Sequence, residues 1–282
     1  MKTALVLEGG AMRGVYTAGV LDVFLENNLN FDGIIGVSAG ALFGVNFLSK
    51  QNGRVIRYNK KYNSDKDYMG IIPYIKTGNF ISTEYAYEKV PFELDVFDDE
   101  TYKKSKVPFY AVMTNIETGK PEYCKITSVF KQMDLLRASG SMPFLSKPVK
   151  IDNKLYMDGA VVDSIPYEYM LENGYDSLVV ILTKPEDYVK KPLPPRLTNM
   201  FYKKDYPNFA KAVRDRHIMY NGQMQRLYEL EKDNIAKVIR PSKKIKVSRV
   251  EKDPEKLDEL YRLGRSDGER FLKSNPQYKN KK

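Results

Sequence analysis

Histidine and cysteine are almost missing from this chain: its 282 residues contain one of each, His217 and Cys124. A lone cysteine excludes an internal disulfide, and one histidine beside it leaves no His/Cys cluster to bind a metal. The low cysteine count suits a reducing compartment. Long apolar runs are missing too. The stretch 4–7 stops at Glu8, too short for a signal-peptide core, and no run approaches the roughly 18 residues of a membrane span. Hence the expectation is a cytoplasmic protein without metal or other cofactor. Acidic charge is short only in the C-terminal part: residues 184–282 hold 26 Lys+Arg against 14 Asp+Glu, whereas 1–183 hold 20 against 22. Such a region attracts nucleic acid, anionic lipid or acidic partners, or is simply a solvated helical surface. Its bases are interspersed with acids and accompany no nucleic-acid motif, so no nucleic acid is expected.

What is present is an alternation of strands and helices. Residues 3–7 read as an apolar strand, followed by the loop EGGAMRG. From Val15 to Glu26 apolar residues recur at the spacing of an amphipathic helix. FDGIIGV reads as a second strand, and AGALFGVNFLS as a buried helix. This order predicts an α/β protein with a mainly parallel sheet. Residues 51–105 are polar and tyrosine-rich, helical excursions and loops suited to cover a site as a lid. Further strands are expected in VPFYAVMTNIETGK, KLYMDGAVVDSIP and SLVVILTK. Prolines 185, 192, 194 and 195 mark an extended, linker-like segment. A long helix over 207–232 and a strand in AKVIRPS come next. Asp253-Pro254 then opens a last helix, as N-cap and N1 proline. No composition break demands a second domain. Residues 184–282 are therefore expected to form a basic, mainly helical region packed on the same domain as a core of 1–183.

The first chemical motif is Gly36-Val37-Ser38-Ala39-Gly40, a G-x-S-x-G turn between a strand and a helix. On its own it reads equally as a nucleophile elbow or as a packing serine in a tight turn. The loop Gly9-Gly10-Ala11 offers backbone N–H groups to a phosphate or to an oxyanion. A P-loop is excluded, because Val15 and Tyr16 follow Gly14 where lysine and a hydroxyl are needed. A dinucleotide fingerprint is degraded here, and Ser38 stands where an acidic ribose ligand belongs. A serine nucleophile normally needs a histidine. His217 lies mid-helix in the basic region, where a lone histidine is more often a surface or packing residue. Asp158, at a strand end before Gly159-Ala160, is the better candidate, with an Asp-Gly hairpin turn as the alternative.

Taken together, GGAMRG, GVSAG and DGA, in this order and in these strand contexts, resemble the patatin-like phospholipases, especially the bacterial ones. RASGSMPFLSKP and DSIP add to the likeness, which covers at least residues 3–183. The resemblance implies a three-layer α/β/α fold with a central, mainly parallel sheet, and a Ser–Asp dyad without histidine. By similarity Ser38 is the nucleophile, Asp158 the base, and Gly9, Gly10 and Ala11 carry the oxyanion-hole N–H groups. Arg13 occupies the family's basic position, to orient the loop or to attract an anionic head group. Ala11 departs from the glycine of many relatives, which strains any positive φ. Glu8 replaces an aspartate of some members and is given no catalytic role. The implied activity is that of a serine acyl hydrolase, an esterase, phospholipase A or lysophospholipase cleaving lipid acyl esters through an acyl-enzyme. Basic residues beyond 183 add peripheral contact with an anionic membrane. Two other readings stay open: a phosphate- or nucleotide-binding protein using the glycine loop, and an inactive relative acting through its surfaces.

Overall fold

A computed structural model of the chain describes residues 1–278. From the N-terminus it runs β1 (Thr3–Leu7), a 3-10 turn, α1 (Val15–Glu26), β2 (Gly33–Val37), α2 (Ala39–Leu48), α3 (Arg54–Tyr62) and α4 (Ile71–Thr77). A π-helical segment, Tyr85–Leu94, leads to α5 (Asp99–Lys104), β3 (Phe109–Asn115), β4 (Lys120–Ile126), α6 (Met133–Ser139), β5 (Val149–Ile151) and β6 (Lys154–Asp158). The rest is α7 (Tyr167–Glu172), β7 (Ser177–Ile181), α8 (Pro195–Tyr202), α9 (Pro207–Lys232), β8 (Ala236–Ile239) and α10 (Pro254–Ser274).

All eight strands join one sheet. β3, β2, β1, β7 and β8 are parallel neighbours in that order. Side chains alternate across them, as a pleated strand requires. Leu5, Leu7, Ile34, Val179 and Ile181 pack in the layer of α1, α2 and α10. Ala4, Val6, Ile35, Val180 and Leu182 pack in the layer of α7 and α9. The fold is a three-layer α/β/α sandwich, and β1, β2 and β7 are buried along their whole length. That double burial explains why these strands are apolar runs instead of alternating ones.

Two expectations change on contact with the structure. α1 is not amphipathic in use: ten of its twelve residues are buried, because α10 covers the face turned from the sheet. Polar contacts fasten that layer, with the Tyr16 hydroxyl donating to Asp267 (3.0 Å) and the Tyr261 hydroxyl to Asp22 (2.7 Å). α10 itself begins as expected, with Asp253 accepting from the Glu255 N–H at 3.0 Å. β4 and β5 are strands that composition did not suggest; β4 opens on Lys120 and Pro121 and is half-buried over most of its length. Among the described residues no helix is long and apolar enough to cross a membrane.

β4 positions the site. It pairs antiparallel with β3 along all seven residues and so occupies one edge of that strand completely. The other edge is shared: β2 pairs with residues 109–112 of β3, and β6 with residues 113–115 from the opposite direction. The carboxyl ends of β2 and β6 therefore meet head-on beside the step from Val112 to Met113.

Candidate active site

Ser38 follows β2 directly and caps α2 with φ 56° and ψ −125°. A side chain held there costs about 1–3 kcal/mol and persists only where surrounding contacts enforce it. Those contacts are visible. The Ser38 N–H donates to Ser139 Oγ (3.0 Å), and that hydroxyl donates on to the Val112 carbonyl (2.7 Å), tying the elbow to β3. Gly40 lets the first turn of α2 sit on the end of β1, since a Cβ there would lie 2.3 Å from the Leu7 carbonyl oxygen.

Asp158 ends β6 directly opposite. Ser38 Oγ donates to its Oδ2 at 2.8 Å, and its Oδ1 accepts the Ala160 N–H at 2.8 Å. Gly159 permits the turn, for a Cβ there would come within 2.2 Å of the Val112 carbonyl oxygen. Thr114 Oγ1 donates to the Asp158 carbonyl at 2.8 Å, so the strand end is fixed as well. Only 4% of Ser38 and 3% of Asp158 is exposed, so little of this pair is open to water. Burial pushes the Asp158 carboxyl above its ordinary range, opposed by Arg216, the Ala160 N–H, the Ser38 hydroxyl and Arg249. A hydroxyl joined to a dehydrated carboxylate of raised basicity can pass its proton across as the oxygen attacks an electrophile.

The glycine loop lies beside this pair. Ala11 takes φ 49°, the strain expected from an alanine at a position open to glycine. The N–H groups of Gly10 and Ala11 have no acceptor among the described residues, whereas that of Gly9 reaches the Ser164 carbonyl at 3.5 Å. Arg13 does not point freely into solvent; its Nε donates to the Val247 carbonyl at 3.2 Å.

Glu8, without a role in the sequence reading, anchors the loop. Its buried carboxylate accepts from the Thr183 N–H and hydroxyl, from Lys184 Nζ at 2.6 Å and from the Tyr220 hydroxyl at 3.0 Å. β1, the segment after β7 and α9 are thereby joined at one point. Burial pulls Lys184 below the ordinary lysine range, and Glu8 opposes that. Glu8→Gln is expected to cost about 3–5 kcal/mol, because it strands a buried ammonium without its partner. Guanidinium unfolding of the two proteins measures it; a loss below about 1 kcal/mol would mean that Lys184 discards its proton cheaply.

Two cavities adjoin Ser38, and Ala11, Ser38 and Met142 line both. One, of about 100 Å³, lies behind Leu42, Phe43, Tyr58, Val90, Phe97 and Leu136. The π-helical segment forms part of its wall, so residues 51–105 do border the site. The other, of about 270 Å³, is lined by Asp158 and five basic side chains. His217 lines neither; its Nδ1 pairs with the Arg214 carbonyl on its own helix at 2.9 Å. Its neighbour Arg216 faces the second cavity instead. Ser139 lies within RASGSMPFLSKP, which suggested no role for it, and Tyr220 and Arg216 had no motif to reveal them. Among the described residues no group of three or more His, Cys, Asp or Glu side chains converges to hold a metal ion.

Fold and site together define an α/β/α protein with a serine–carboxylate pair at the carboxyl ends of its strands. Residues 5–171 match the family model described as patatin-like phospholipase, and the chain belongs to that family. Residues 206–280 match a domain of unknown function, DUF6363. The chain is 31% identical over 201 residues to the uncharacterized protein YjjU of Escherichia coli, covering 68% of this chain and 54% of that one. It is 26% identical over 195 residues to the lysophospholipase NTE1 of Cryptococcus neoformans, covering 65% of this chain and 12% of the other. With the neuropathy target esterase sws of Drosophila melanogaster it shares 25% identity over 179 residues, 63% of this chain and 12% of that one. The chain thus spans about half the length of the bacterial relative and about an eighth of the other two. The crystal structure of VipD from Legionella pneumophila aligns with 97% of this chain and 67% of its own, at 14% identity and a TM-score of 0.47.

Proposed function

We propose that this chain is a serine acyl hydrolase acting on phospholipids or lysophospholipids, with Ser38 as nucleophile and Asp158 as general base. The observation that carries this reading is the 2.8 Å hydrogen bond from Ser38 Oγ to Asp158 Oδ2, buried beside free backbone donors. Family membership supports a lipid hydrolase, and the names of the fungal and fly relatives support acyl esters as the bond cleaved.

In this mechanism Ser38 Oγ bonds to the acyl carbonyl carbon while its proton passes to Asp158 Oδ2. The electron pair displaced onto the carbonyl oxygen is met by the Gly10 and Ala11 N–H groups, with Gly9 adjoining them. On collapse the alcohol oxygen leaves with the proton from Asp158, and the acyl chain stays on Ser38. Water, deprotonated by Asp158, then releases the fatty acid. The apolar cavity holds the acyl chain, with residues 51–105 as its cover. Residues 1–183 form the core of the machine, the described part of 184–282 packs on it within the same domain, and basic residues of that region favour an anionic membrane surface.

Fluorophosphonate labelling tests the proposal. Serine attack on phosphorus expels fluoride, so one adduct per chain, mapped to the peptide containing Ser38, is the expected intact-mass result. An unlabelled folded protein, or an adduct elsewhere, would overturn the assignment.

A further inference from the structure

The cavity on the polar side of Ser38 carries more positive charge than the hydrolytic steps require. Arg13, Lys184, Lys190, Arg216 and Arg249 line it, against Asp158 alone. Lys184 is answered by Glu8. Among the described residues the other four cations have no carboxylate within ion-pair distance. Arg216 Nε is sealed from solvent and has no hydrogen-bond acceptor among the described residues. Lys190 Nζ rests 4.5 Å from the centre of the Tyr220 ring instead of on a carboxylate. Burial, with Arg216 and Lys184 close by, pulls Lys190 down to about 6, and Arg249 likewise opposes the charge on Arg13 and on Arg216. Cations that repel one another around a cavity lower their energy when an anion enters it.

The geometry points to a phosphate site in this cavity, so that the preferred substrate is an acyl glycerophosphate of net negative headgroup. The inference rests on the acyl-hydrolase reading of Ser38 and adds the substrate class. Ser38 sits on the partition between an apolar cavity and a cationic one, so a bound lipid is sorted by polarity, tail to one side and phosphate to the other. A quaternary ammonium would meet the three unneutralised guanidinium groups of Arg13, Arg216 and Arg249 and be disfavoured. Four of the five basic side chains lie beyond residue 183, and Arg216 and Arg249 fall within the match to the domain of unknown function. The C-terminal region, on this account, reads the headgroup.

The test compares three esters of one acyl chain: lysophosphatidic acid, lysophosphatidylcholine and monoacylglycerol. Turnover by the wild type is paired with calorimetric binding to Ser38→Ala, together with inorganic phosphate. The expected result is a kcat/KM for lysophosphatidic acid about 10–100-fold above that for the other two, with binding in the same order. Arg216→Gln and, as a variant less exposed to misfolding, Lys190→Gln should each shrink that ratio about tenfold. Equal ratios in wild type and both variants overturn the proposal. So does phosphate binding that leaves all three esters cleaved alike, which marks a site for free phosphate. Absence of all ester turnover alongside selective binding of lysophosphatidic acid to Ser38→Ala sinks the hydrolase reading and leaves the phosphate site standing.

Discussion

Ser38→Ala is expected to lower kcat/KM for acyl-ester hydrolysis by about 10⁵–10⁶-fold, the scale on which removal of a serine nucleophile removes covalent catalysis. Among the described residues no other hydroxyl is bonded to the Asp158 carboxylate: Thr114 reaches only its backbone carbonyl, and Ser139 is engaged between the Ser38 N–H and the Val112 carbonyl. The substitution is also mild for the fold. Alanine suffers the same backbone strain at φ 56° as serine does, and the Ser38 N–H keeps its bond to Ser139. Asp158 loses one donor but retains the Ala160 N–H. Steady-state turnover and a denaturant melt on the same preparation separate the two effects. Activity within tenfold of wild type on a folded variant would remove Ser38 from the chemistry.

Much of this arrangement was legible locally. Ser38 and Asp158 each stand at a strand end beside residues too small to block a turn, and the order β1, α1, β2, α2 follows from short apolar runs separated by glycine. What brings the pair together was not legible. The head-on meeting of β2 and β6 depends on β4 filling the far edge of β3, and strand register is a long-range choice that composition does not encode. Glu8 was missed because a single carboxylate after a strand resembles any solvated end until Lys184, Thr183 and Tyr220, each far away in the chain, are seen to surround it. Arg216, the neighbour of His217, is hidden in the sequence for the same reason. Adjacent helical residues point in different directions, and only the packing of α9 decides which one faces the cavity.

Asp158→Asn should reduce kcat by about 10³–10⁴-fold, the contribution of a positioned general base, while leaving the fold no less stable. Asparagine can still accept the Ala160 N–H, yet its amide donates toward Ser38 Oγ, the reverse of the bond that removes the serine proton. The pH dependence follows from the raised carboxyl. Only ionised Asp158 can act as base, so wild-type kcat/KM is expected to fall with acidification at a pH where an exposed aspartate, near 3.8, would remain charged. The stability change has the opposite sense. Because the folded state raises this carboxyl above its unfolded value, the protonated form favours folding. That contribution is full below the unfolded value and is lost as pH rises through the folded one. Asparagine mimics the protonated form at every pH, and the charge of Arg216 is present in both cases. The melting temperature of Asp158→Asn relative to wild type should therefore climb between pH 4 and pH 8 while its activity stays low. Parallel melting curves across that range would mean that Asp158 is solvated after all, and a carboxylate of ordinary basicity would then be a poor base for the Ser38 hydroxyl.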